Sequence, residues 1–192
     1  MMSPRMQRLV AVQAPWMISP STPYLQLLAS ESVDPTIVRF VAHFGLEWSS
    51  EIGKGKKYVK VGSPYTPETQ LAPPGGPFQL VRAQFNTAIA SRMLPVFSER
   101  EVVNPHFYDF SGLPHRFTPG LSAEKWKLQF NNAWVKSRLC PNPRMYEVSN
   151  SAWIKELAAG SEFKHFLLMG HDAYVEVVAT HWDWMSEGRI PE

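Results

Sequence analysis

Four side chains near the end of the chain have types and spacing suited to proton transfer: His165, Asp172, Tyr174 and Glu176. Two alternating runs, Phe163 to Gly170 and Ala173 to Trp182, flank Gly170-His171-Asp172, and alternation around a glycine-containing turn predicts an antiparallel hairpin. Side chains alternate across a strand, so Phe166 and Leu168 share one face with Val175, Val177 and Ala179. The opposite face carries His165, Leu167, Met169, Tyr174, Glu176 and Val178. With Gly170-His171 at the turn, His165 stands directly across from Glu176; with His171-Asp172 the two are diagonal. Both registers keep the pair on one face. A carboxylate beside a histidine favours its protonated form and equips it to shuttle protons. In that reading His165 is the base, Glu176 orients it, and Tyr174 or Asp172 contacts substrate. The plainer reading is a solvated cross-strand pair, worth only ~0.2–1 kcal/mol.

Other constellations carry less. His181 and Asp183 lie on one side of a strand but supply at most two ligands, where a catalytic zinc needs three. His106, Asp109 and His115 occupy an aromatic, proline-punctuated stretch, 102–120. Their spacing matches no metal signature, so we read them as ligand contacts, together with Trp182. Lys54, Lys56, Lys57 and Lys60 read as a solvated loop. Cys140 is the only cysteine, has no identifiable base and reads as a small packing residue. The chain contains no G-x-S-x-G, H-E-x-x-H, C-x-x-C or dinucleotide fingerprint. No metal and no cofactor are expected.

The elements that would position these residues are read as follows. Residues 1–23 hold four prolines and form an extended N-terminal arm. A single compact α+β domain spans 24–192. Tyr24 to Ser30 reads as a short helix. Asp34-Pro35 has N-cap and first-turn character, and Ile37, Val38, Phe40, Val41 and Phe44 suit a helical face that Gly45 ends. A second helix is predicted from Pro77 to Met93, on Phe78, Val81, Phe85, Ala88 and Ile89. Ser122 caps a third, Ala123 to Leu139, apolar on two opposed sides and therefore expected between layers. Tyr58 to Val61 and Met145 to Val148 read as strands, and Ser151 to Ala159 as a short helix. The predicted fold is thus three main helices packed on a small antiparallel sheet containing the C-terminal hairpin.

Ser151-Ala152-Trp153-Ile154-Lys155-Glu156-Leu157, His165-Phe166, His171-Asp172 and Glu176-Val177-Val178-Ala179 resemble a recurring pattern. It is similar to S-x-W-I-x-E-L, H-F, H-D and E-x-x-A in a group of short proteins with no assigned activity. The resemblance covers about the last fifth of the chain. It implies a helix followed by a hairpin and no particular reaction.

Composition narrows the classes further. The chain has 192 residues, enough for one domain with a sizeable core. A net charge of +2, from 19 basic and 17 acidic residues, gives no electrostatic case for nucleic acid. No apolar run reaches transmembrane length, so no membrane is expected. Arg5 and Arg8 before Leu9 to Ile18 resemble a transit peptide only faintly, and a cytoplasmic location is expected. The aromatics and the stiff Ala72 to Pro77 loop suit a binding or protein-interaction module, with a protein partner, a small molecule or a second copy of the chain. The alternative is a small cofactor-free enzyme using His165 and Glu176.

Overall fold

The computed structural model describes residues 6–30, 33–44, 78–99, 101–114 and 121–188. Among these, 46% lie in strands and only 14% in helices. The expectation of three helices on a small sheet is therefore wrong: the protein is mostly β, built on two sheets. The strands are β1 (Gln7–Ala11), β2 (Met17–Ile18), β3 (Leu25–Ser30), β4 (Val33–His43), β5 (Phe78–Asn86), β6 (Ala90–Pro95) and β7 (Tyr108–Asp109). After helix α1 (Ala123–Ser137) come β8 (Met145–Ser149), helix α2 (Ala152–Glu156), β9 (Lys164–Met169), β10 (Ala173–Ala179) and β11 (His181–Gly188). One sheet runs β6-β10-β9-β8-β1-β7. The other runs β11-β5-β4-β2, with β3 also paired to β4.

Two expected helices are the antiparallel pair β4 and β5 instead. Thr36, Ile37, Val38 and Val41 are β-branched and suit a pleated surface. Val38, Phe40 and Ala42 alternate inward and are fully buried. In β5, Gln79, Val81, Ala83 and Phe85 are buried at every second position. The spacing of Phe78, Val81 and Phe85 also fits a helix, and long-range pairing decides between the two periods. Thr87, at φ 50°, turns the chain from β5 into β6. The short helix expected over 24–30 is strand β3 for the same reason. The strand expected at 58–61 lies outside the described residues.

The two sheets pack face to face. Val38, Phe40, Val81 and Phe85 from one meet Phe166, Leu168, Val175 and Val177 from the other. Phe85 and Phe166 stand 5.4 Å apart, centroid to centroid. Trp16, fully buried, lies against Phe40 at 4.9 Å. Segment 7–18, read above as part of an arm, is woven into both sheets through β1 and β2. The chain changes sheets between β10 and β11 at Thr180, whose N–H and hydroxyl both donate to Asn86 O at 3.2 Å. Such bends are how strands serve two packed sheets.

The C-terminal hairpin forms with His171-Asp172 at its turn. His165 lies opposite Val178 and Glu176 opposite Leu167, the diagonal register. Gly170 N–H donates to Ala173 O at 2.9 Å, and a Cβ on Gly170 would lie 3.0 Å from Leu25 Cδ2. Phe166, Leu168, Val175 and Val177 all face the core. Helix α1 keeps its Ser122 cap, which accepts from Lys125 N. It is not sandwiched: Phe130 and Trp134 are buried, while Leu128, Val135 and Leu139 are exposed. Residues 101–114 fold over the outer face of the six-stranded sheet. There Val103, Tyr108 and Leu113 pack with Leu9, Tyr146, Val148 and Leu167.

Candidate functional site

The outer face of the hairpin is covered, which changes the meaning of its polar residues. His165 and Glu176 are each 1% exposed. A buried carboxylate needs partners, since desolvation otherwise forces it neutral. Glu176 has three. Arg92 stands directly across on β6, and its Nε donates to Oε2 at 2.6 Å. The Tyr108 hydroxyl donates to Oε1 at 2.7 Å. His165 Nε2 lies 3.1 Å from Oε1, off the line of a strong hydrogen bond. Burial alone would raise the Glu176 carboxyl. The contacts with His165, Arg92 and Tyr108 outweigh it and hold the group at about 2. The same charge, added to burial, pushes the Tyr108 and Tyr174 hydroxyls up. Burial pulls the Arg92 guanidinium down, and the Glu176 contact more than restores it, leaving it raised.

Helix α2 supplies the second half of the arrangement. Ser151 caps it, with Oγ accepting from Ile154 N at 3.1 Å. The hydroxyl hydrogen is then available to His165 Nδ1, 2.9 Å away. With that hydrogen donated to Nδ1, the imidazole proton lies on Nε2, facing Glu176. Trp153 packs edge-on to His165 at 5.3 Å. Its own face carries the Arg92 guanidinium, 4.2 Å from the ring centroid. Arg92 is thereby held by a carboxylate at one edge and an indole at one face.

These groups floor a cleft of about 710 Å³, within the range of small-molecule sites. Leu94, Phe97, Phe107 and Tyr174 give it apolar walls, and Gln7 and Asn104 add amides. Of the expected catalytic residues, His165, Glu176 and Tyr174 line it. Asp172 does not; it is exposed at the hairpin turn, paired with His171. Among the expected ligand contacts, His106 is exposed, and its N–H donates to Asn104 Oδ1. Asp109 accepts from Ser111 N at 2.8 Å in a local turn. Neither lines the cleft. Trp182 is packed in the other core, 6.2 Å from Trp16. His115 lies outside the described residues, as do 54–60 and 72–77.

Arg92, Tyr108, Ser151 and Trp153 were not singled out by residue type as site members. Ser151 and Trp153 do belong to the S-x-W pattern, and with Glu156, His165 and Glu176 they gather at this cleft. Among the described residues, no group of three His, Cys, Asp or Glu is placed to hold a metal. Cys140 is buried, and burial pushes its thiol up, away from the reactive thiolate. No family model, curated protein or solved structure matches this chain.

Proposed function

We propose that the protein is a binding module whose ligand occupies the cleft between α2, β6 and the 101–114 segment. The observation that carries this reading is the immobilised Arg92, held by buried Glu176 and stacked on Trp153 while its side chain stays 45% exposed. A guanidinium fixed in advance at the floor of a cleft binds with little further ordering cost. A small molecule is favoured over a protein partner because the polar groups converge in a concavity. The balanced charge gives no reason to invoke nucleic acid. No described helix is long and apolar enough to cross a membrane, and we place the protein in the cytoplasm on the strength of its lone, unpaired Cys140.

A thermal-shift screen followed by ¹H–¹⁵N spectra tests the reading. Hits should raise the melting temperature in proportion to ligand excess and move the Trp153 indole signal. Trp153→Ala should remove the response. Hits that bind while leaving Trp153, Arg92 and Tyr174 unmoved would refute it.

The second reading is a cofactor-free enzyme in which His165 and Glu176 move a proton. Their 3.1 Å separation at the floor of a cleft, beside perturbed Tyr108 and Tyr174, favours it. It ranks second because both imidazole nitrogens already face protein partners. Glu176, held ionised with both oxygens engaged, is a weak base.

A further inference from the structure

The hydrogen-bonding groups that line the cleft are unequally divided between donors and acceptors. Gln7 Oε1 accepts from Ala152 N at 2.9 Å, and Asn104 Oδ1 accepts from His106 N at 3.0 Å. Each amide is oriented by that bond to its oxygen, and its NH₂ is left without a protein partner among the described residues. Arg92 has committed Nε to Glu176 and one face to Trp153. Its two terminal nitrogens have no partner among the described residues, and they form the end-on fork that matches a planar acceptor pair. On the acceptor side, both oxygens of Glu176 are occupied by Tyr108, His165 and Arg92. Among the described residues Glu156 is the other carboxylate of the lining, and it is exposed at the rim, where water and salt screen it.

We infer that this cleft, if it is the ligand site proposed above, takes a carboxylate carried on an aromatic or aliphatic body. A ligand that fills the cleft without pairing Arg92 would strip water from a cation and leave it unsatisfied. A neutral carbonyl satisfies one terminal nitrogen. A carboxylate satisfies both, with charge-assisted bonds, and leaves the Gln7 and Asn104 amides within the same donor-lined region. A phosphate dianion is disfavoured: among the described residues Arg92 is the only Lys or Arg in the lining, and it already faces Glu176. Leu94, Phe97, Phe107 and Tyr174 supply the apolar surface for the ligand's body.

The test uses matched triplets, in which naphthyl, indolyl and octyl bodies are each presented as acid, primary amide and amine. Binding to the full chain is followed by ¹H–¹⁵N spectra at neutral pH. Acids should bind about tenfold or more tightly than their amides, the margin of a charge-assisted two-point contact over a neutral one-point contact. Amines should bind weakest. Arg92→Gln should erase the acid preference. Asn104→Asp leaves the Arg92–Glu176 pair in place, so it separates a loss of recognition from a loss of fold; it too should weaken the acids. Amides or amines binding as well as acids, or an acid preference that survives Arg92→Gln in a folded protein, would overturn the ligand class and leave the binding module standing. If no member of any triplet moves Trp153, Arg92 or Tyr174, both the class and the module are rejected.

Discussion

On one face of β9 and β10 stand Phe166, Leu168, Val175 and Val177; on the other stand His165, Leu167, Glu176 and Val178. All eight are buried. The inner face is held by apolar area and ring packing, with each large side chain contributing about 1.5–3 kcal/mol of transfer free energy. The outer face buries a carboxylate and an imidazole, whose desolvation must be offset by Arg92, Tyr108 and Ser151. Apolar packing answers to volume and shape, whereas the polar network answers to the identity of each donor and acceptor. The cleft opens over the polar face, which is where a protein that binds a polar ligand would keep such a network.

Substitutions sharpen that contrast. The largest effect is expected from Phe166→Ala, about 3–5 kcal/mol of lost stability from the cavity left between the sheets. Urea unfolding should show it with the slope unchanged. Next is Glu176→Gln, which preserves shape and removes charge. It should cost roughly 2–4 kcal/mol at neutral pH, because Arg92 and the Tyr108 hydroxyl lose a charged acceptor. Its pH dependence is distinctive. The folded carboxyl, at about 2, lies below its ordinary value of 4.5, so its contribution is full above pH 4.5 and drains away as pH falls toward 2. The wild type should therefore lose more stability than Glu176→Gln across that acid window. A parallel decline of the two proteins would mean that Glu176 is not held by its neighbours. Tyr108→Phe, which deletes one donor to a charged group, should cost about 1.5–3 kcal/mol in the same unfolding assay. Asp172→Asn, at the exposed turn beside His171, should change stability by less than about 0.5 kcal/mol. An effect of Asp172→Asn as large as that of Tyr108→Phe would erase the distinction between network and surface.

How much of this is legible in the sequence depends on how local each feature is. The hairpin with its inward and outward faces, the Ser122 cap, β8 and a short helix after Ser151 follow from short-range patterns, although α2 ends at Glu156 and the second hairpin strand at Ala179, short of the predicted Ala159 and Trp182. The strands β4 and β5 do not. Asp34-Pro35 imitates a helix start, and Phe78, Val81 and Phe85 satisfy both periods until a partner strand is supplied. The candidate site divides the same way. His165 and Glu176 share a face by alternation alone. Arg92 reaches Glu176 from 84 residues away and Tyr108 from 68. No local pattern encodes that β6 will lie beside β10. Trp182 shows the converse: an aromatic near the chain end suits a binding surface, yet β11 turns it into the shared core beside Trp16.

The central claim is that Glu176 sits buried and ionised beneath the cleft as the anchor for Arg92. Its side-chain carboxyl carbon, followed by ¹³C NMR as pH is lowered, reports this directly. The account predicts that Glu176 stays ionised as pH falls through 4.5 and titrates only toward about 2, with an upward move of that titration in Arg92→Gln. Titration of Glu176 at the ordinary carboxylate value, unchanged by Arg92→Gln, would contradict it.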